Sequence, residues 1–397
     1  MILRIVDAWK TVETDGYKQK TPIVHVVGRD RNLRRHHIPI EGFRPYFLVR
    51  ESEWVEVGEQ IASDDRVLDV KTEDRRGRLE ESIDGEQLYR VVCREPSDVD
   101  DLREAIDDPF EADVLFPVRF LVDYGIFQWM EVPDECVEAD GPVSEDEVTL
   151  GLDEERKPDE TPPLRTCVYD IEVQQGGNGP PVVSERGTEQ ARNPITAITA
   201  HDSYTDEYKV WVLAHKSWDA EDSETARGAV DCDVSVYGNP QDVVSFFLQW
   251  VVERDFDALI AWNGSGFDHP YFVNWAMKNN VSAVYDLSPT NDVYSMSGDG
   301  SWINSSLKGR LLLDLLEMYK KTEIHELDSY RLADVATEND VSVGKLSIED
   351  ELDVPDSEPA IDYAWANDPE TFVEYSYRDV AAAVGINKES KENVNIL

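Results

Sequence analysis

A chain of 397 residues, 41% apolar and with ten tryptophans, has the hydrophobic mass for two or three domains, which excludes a wholly disordered protein. Its 83 acidic residues against 38 basic ones give a net charge of −45, and the excess runs along the whole length, which excludes an acidic tail as its source. No apolar run reaches membrane-spanning length, so neither anchor nor signal peptide is expected. The four cysteines (Cys93, Cys136, Cys167, Cys232) lack CxxC spacing, which argues against a disulfide framework or zinc site and for a reducing, cytoplasmic setting. A surface adapted to near-molar salt, which screens self-repulsion, accounts best for the charge. In such salt counterion release drives phosphate binding poorly, so net charge does not exclude a nucleic-acid partner.

In chain order, residues 1–137 read as a mixed α/β domain. Met1–Val6, Ile23–Val27 and Tyr46–Val49 pattern as strands, Asp98–Ile106 as a helix, and Asp113–Val122 as a return to β-type residues. Residues 138–163 are acidic, poor in apolar residues and end in Thr-Pro-Pro, the composition of a linker. Residues 164–397 then form a second α/β domain. Arg165–Val173, Ile195–His201 and Tyr208–Leu213 are three strands, the first two joined by a Gly/Pro-rich connection over Gln174–Pro194. A helix over Pro240–Arg254 should bury Val243, Phe246, Phe247, Trp250 and Val251. A buried strand over Ala258–Trp262 and a helix from about His269 to Lys278 complete a mixed sheet flanked by helices, an order shared with ribonuclease H-like nucleases and with many other α/β folds.

Three acidic motifs lie on this framework. Asp170-Ile171-Glu172 sits in an apolar strand, where residues i and i+2 share a face, so the two carboxylates emerge together. Asn263-Gly-Ser-Gly-Phe267-Asp268 follows a strand and opens a helix with Pro270 in its first turn. An isolated Asp at that position is an ordinary helix N-cap. Tyr375 and Asp379 stand four apart, on one face of a helix. Each motif alone is commonplace; three in one α/β domain are not. Converging carboxylates repel and raise one another's pKa, which two divalent cations relieve while clamping the oxygens of a phosphodiester. Oxygen-only ligation suits Mg²⁺, with Mn²⁺ as a substitute. There is no P-loop, no HExxH helix and no GxSxG elbow.

In order and approximate spacing, the motifs resemble exonuclease motifs I, II and III of archaeal family B DNA polymerases. Phe43-Arg-Pro-Tyr-Phe47, Phe116–Gly125, Gly309–Asp314 and Ser329–Val335 extend the resemblance over essentially the whole chain. It implies a ribonuclease H-like exonuclease domain behind a smaller N-terminal domain, and removal of nucleotides from single-stranded or frayed DNA 3′ ends. Asp170, Glu172, Asp268 and Asp379 are the implied ligands of two Mg²⁺ (or Mn²⁺), Tyr375 the residue that orients water, and Asn263 and Phe267 the residues that shape the substrate site. It also implies a pocket for template uracil at Pro45, Phe116 and Arg119. The polymerase palm motifs are absent from these residues, so the resemblance leaves two expectations. One is a free-standing exonuclease; the other is a non-catalytic DNA-binding or docking piece of a split or truncated polymerase, with a separately encoded palm as partner. The motifs read phosphates and metals, so DNA against RNA stays open.

Overall fold

The computed structural model describes residues 1–14, 20–74, 77–137, 141–147, 161–176, 191–297, 303–323, 326–343 and 346–393. The chain divides into two compact units, Met1–Pro162 and Pro163–Leu397. In the first, β1 (Ile2–Thr14), β2 (Lys20–Arg29) and β3 (Arg35–Glu41) form an antiparallel meander. β4 (Tyr46–Arg50) leads into α1 (Glu51–Ala62), and with β5 (Val67–Lys71) and β6 (Leu88–Cys93) it makes a second antiparallel sheet in the order β4-β6-β5. After α2 (Pro96–Leu102) and α3 (Phe116–Asp123) come β7 (Trp129–Glu131), α4 (Asp134–Val137) and β8 (Val143–Ser144). β7 and β8 extend the first sheet to the order β7-β1-β2-β3-β8.

Two expectations change here. Asp113–Val122 is not β-type: Phe116–Asp123 is a helix with a proline in its first turn. Phe116, Arg119 and Phe120 are buried, a helical i, i+3, i+4 spacing, while the β-branched Val118 and Val122 that suggested a strand lie on the exposed face. Within residues 138–163, Val143 and Ser144 pair in parallel with Ile40 and Glu41, and Val143 is buried, so this part is built into the sheet. Residues 138–140 and 148–160 lie outside the described residues.

The second unit is ribonuclease H-like. β9 (Thr166–Val173), β10 (Ile195–Asp202) and β11 (Glu207–Leu213) form an antiparallel meander. α5 (Ala220–Gly228) crosses to β12 (Asp233–Tyr237), parallel to β11. α6 (Pro240–Arg254) returns the chain to β13 (Ala258–Ala261), parallel to β9, and α7 (Asp268–Lys278) follows. β14 (Val293–Ser297) and β15 (Ile303–Leu307) make a hairpin before β16 (Leu311–Asp314), parallel to β13. The sheet order is β12-β11-β10-β9-β13-β16, and all eight residues of β10 are buried. α8 (Leu315–Thr322), α9 (Leu332–Glu338), α10 (Ile348–Glu351), α11 (Ala360–Asn367) and α12 (Pro369–Asn393) complete it. Most of the Gln174–Pro194 connection, residues 177–190, lies outside the described residues.

Alternation along β9 splits its side chains between two clusters. Tyr169, Ile171 and Val173 pack with α6 and α7, whereas Val168 packs with Val380, Ala383 and Val384 of α12. α6 buries Val243, Val244, Phe247, Leu248, Trp250 and Val251. Phe246, expected inside, is exposed and stacks on Tyr237 with ring centroids 5.0 Å apart. The helix ends at Asp255, whose left-handed backbone (φ 56°) returns its N–H to Val251 and Val252. Phe247 is fully buried between Trp211, Tyr169 and Phe272. Phe247→Ala should cost about 3–5 kcal/mol, seen as a lower urea midpoint at unchanged slope; a loss below about 1 kcal/mol would contradict this packing.

Candidate functional site

The site is built on the α12 side of β9. Asp170 and Glu172 share the face of Val168, half-buried, and stand opposite Thr199 and Ala197 of β10 in the strand register. Residues directly opposite on neighbouring strands share a face, so Thr199 flanks Asp170. α12 crosses here because Phe372, Val373, Ser376, Val380 and Ala383 are all buried. Its hydroxyl Ser376, fully buried, bonds the equally buried Thr199 hydroxyl at 2.7 Å. That contact delivers Tyr375 and Asp379, one helical turn apart, to the carboxylates of β9.

Oxygens of Asp170, Glu172 and Asp379 come within 4.8 Å of one another. Asp379 is 6% exposed. Three hard oxygen donors this close are a fitting set for a divalent cation such as Mg²⁺ or Mn²⁺. Tyr375 is mostly buried beside them, and its hydroxyl bonds Asp379. Burial first, and then the charges of Glu172, Asp379 and Asp170, push its pKa far above the usual tyrosine value, so the hydroxyl keeps its proton.

Asp268 is placed near this cluster by another route. The chain leaves β13 through a tight turn in which Asn263 is left-handed (φ 57°) and its carbonyl accepts from Gly266 and Phe267. Gly264 is required here, since a Cβ would sit 2.6 Å from His269 Nε2. The carboxylate of Asp314, at the end of β16, accepts from the Ser265 N–H at 2.9 Å and from the Glu317 N–H at 3.1 Å. α7 starts with Asp268 itself, and Phe267 occupies the preceding cap position. The isolated-N-cap reading therefore does not hold: Asp268 Oδ1 accepts from the Ile171 N–H of β9 at 3.3 Å. Asp268 lies outside the three-carboxylate cluster but feels Asp379 and Asp314 electrostatically. Of the remaining residues, Asn263 is exposed at the turn and Phe267 is half-buried, 5.2 Å from the Tyr271 ring.

Thr199, Ser376 and His269 carry no signal of their own in the sequence, and Asp314 enters there only as the end of the Gly309–Asp314 stretch. The run Leu311-Leu-Leu-Asp was a legible strand signal for Asp314; a hydroxyl or a histidine in an apolar stretch announces nothing without its partner. In the first unit Pro45, Phe116 and Arg119 line one cavity of about 300 Å³, together with Lys10, Tyr46 and Arg103. Arg119 is itself ion-paired to Glu111 and lies over the Tyr46 ring.

Burial, joined by the charges of Asp314 and Asp379, raises the Asp268 pKa from the usual 3.8 to about 7 against its backbone hydrogen bonds. The folded chain then binds a proton that the unfolded chain releases near 3.8, so this residue's contribution to stability falls as pH rises through about 4 to 7. Without divalent cations, Asp268→Asn should gain stability over wild type as pH rises across that window. Urea titrations of both at about pH 5 and pH 8 check this; a difference that does not change with pH would refute it.

The model for "DNA polymerase family B, exonuclease domain" matches residues 107–335, more than half of the chain; the match contains Asp170, Glu172 and Asp268 and ends before Tyr375. The DNA polymerase of Pyrococcus glycovorans is 24% identical over 299 residues, 70% of this chain and 30% of the relative. DNA polymerase 2 of Aeropyrum pernix is 25% identical over 350 residues, 80% of this chain and 37% of that protein. The chain thus spans little more than a third, at most, of these relatives' length. The solved structure of the family B DNA polymerase from Pyrobaculum calidifontis superposes with a TM-score of 0.61 at 22% identity, covering 98% of this chain and 45% of that one, a likeness of fold. With more than half its length matched by the family's exonuclease-domain model, this chain belongs to DNA polymerase family B.

Proposed function

We propose that the second unit is a metal-dependent 3′→5′ exonuclease acting on single-stranded or frayed DNA ends. The observation that carries this is the meeting of Asp170, Glu172 and Asp379 oxygens within 4.8 Å in a chain of this family. In this reading Asp170, Glu172, Asp379 and Asp268 hold two Mg²⁺ or Mn²⁺ ions, which supply positive charge to the phosphodiester and lower the pKa of bound water. Tyr375, kept protonated by burial and by its acidic surroundings, orients the attacking water through its hydroxyl. Asn263 shapes the turn, and Phe267 offers an apolar surface to the terminal nucleotide. The negative surface suits a cytoplasm of high salt, where metal contacts keep their strength while long-range charge is screened.

The chain covers no more than 37% of these relatives' length, which supports a second reading, a non-catalytic DNA-binding or docking piece of a split or truncated polymerase. Co-purification with a palm-bearing chain would favour it. The cavity at Pro45, Phe116 and Arg119 is read as a recess for a uracil base in template DNA. Competition between uracil- and thymine-containing oligonucleotides tests it, and equal affinity counts against it.

The decisive assay shortens 3′-end-protected and unprotected single-stranded DNA, labelled at the 5′ end, in molar KCl with Mg²⁺ or Mn²⁺; an RNA of the same sequence runs beside it. Asp170→Ala and Asp379→Ala should each lower the rate about a thousandfold, which corresponds to about 4 kcal/mol of transition-state stabilisation. Tyr375→Phe should lower it about a hundredfold. Unchanged shortening by folded Asp170→Ala and Asp379→Ala chains would defeat the reading.

A further inference from the structure

The turn that carries Asp268 is fastened by contacts that none of the three motifs contains. His269 is buried, 1% exposed, with Nε2 3.1 Å from the Leu313 carbonyl of β16 and Nδ1 2.6 Å from the Tyr169 hydroxyl of β9. A carbonyl only accepts, so Nε2 carries the proton there, and the Tyr169 hydroxyl completes the ring at Nδ1. β13 lies between β9 and β16 in the sheet, so this one imidazole spans it. The His269 N–H also donates to Gly264 O at 3.0 Å, and the missing Cβ of Gly264 leaves room for the ring. Tyr169 immediately precedes Asp170, and His269 immediately follows Asp268. The direct link from Asp268 to the Ile171 N–H is a long 3.3 Å, whereas the Tyr169–His269 contact is short. Tyr169 lies on the face of β9 opposite Asp170, packed against Phe247 and Phe272, so it anchors the strand from behind.

We propose that Tyr169 and His269 are positioning residues, whose hydrogen bond sets the position of Asp268 against Asp170 and so the geometry of the carboxylates that, in the proposed function, hold the divalent cations. The inference rests on the nuclease reading but concerns residues that touch neither substrate nor cation. Partners behind a ligand typically change metal affinity 10–100-fold when lost.

The test measures Mn²⁺ binding directly, by the paramagnetic resonance signal of the free ion, for wild type, Tyr169→Phe, His269→Phe and Asp170→Ala, with thermal unfolding of each. Tyr169→Phe keeps the ring and removes only the hydroxyl. The expected result is about tenfold weaker Mn²⁺ binding in Tyr169→Phe and His269→Phe, with a matching rise in the Mn²⁺ concentration for half-maximal cleavage and an unchanged KM for DNA. A lower Tm with unchanged Mn²⁺ affinity in Tyr169→Phe would mark a merely structural contact and overturn the proposal. If His269→Phe does not fold, Tyr169→Phe decides. Wild type that binds no Mn²⁺, or Asp170→Ala that binds it equally well, would overturn the nuclease reading as well; wild-type binding lost in Asp170→Ala but intact in Tyr169→Phe overturns the positioning role alone.

Discussion

Mutual repulsion among carboxylates is the constraint on which the second unit turns. Asp170, Glu172 and Asp379 are held with oxygens within 4.8 Å, and Asp268 stands buried where it feels Asp379 and Asp314. Left to itself, such a group flies apart or takes up protons. The fold prevents the first by supplying rigid attachments on every side. A fully buried strand backs Asp170, a hydroxyl pair pins α12, and an imidazole ties the start of α7 to two strands. Packing, which is abundant in this sheet, is spent on holding an unfavourable charge arrangement ready.

The basic residues are deployed differently. Arg165 and Arg254 converge on the fully buried Asp202, and Arg310, 5% exposed, donates to the Phe256 carbonyl and pairs with Asp255. These contacts brace the ends of strands and helices, where a buried anion without a partner would cost several kcal/mol. The charges that raise the Tyr375 pKa, by contrast, are those of Glu172, Asp379 and Asp170, behind burial itself. In a protein with 38 cations to 83 anions, these arginines serve architecture.

How much of this was legible beforehand depended on whether a feature is local. The β-prone strand reading over Arg165–Val173, with its period of two, and the helical pattern over Pro240–Arg254 report a choice made within one element, and β9 (Thr166–Val173) and α6 (Pro240–Arg254) form there. Asp170 and Glu172 on one face follow from the same period. Phe116–Asp123 misled because Val118 and Val122 carry β propensity, while the proline at the helix start and the buried Phe116 and Phe120 outweigh it. Phe246 misled because one apolar residue beyond the helical stripe is indistinguishable from those inside it until the neighbouring strand is placed. The Thr199–Ser376 pair joins residues 177 apart, and Tyr169–His269 residues 100 apart. Neither leaves a periodic trace, because each partner makes sense only through the other.

The order of the pieces along the chain has a further effect. β9, β13 and α7 precede α12 in the chain, so the growing polypeptide carries Asp170, Glu172 and Asp268 before Asp379 is made. Until the segment around Ser376 docks onto Thr199, Asp379 is missing from the carboxylate cluster. The three-carboxylate cluster is thereby assembled only once α12 has docked.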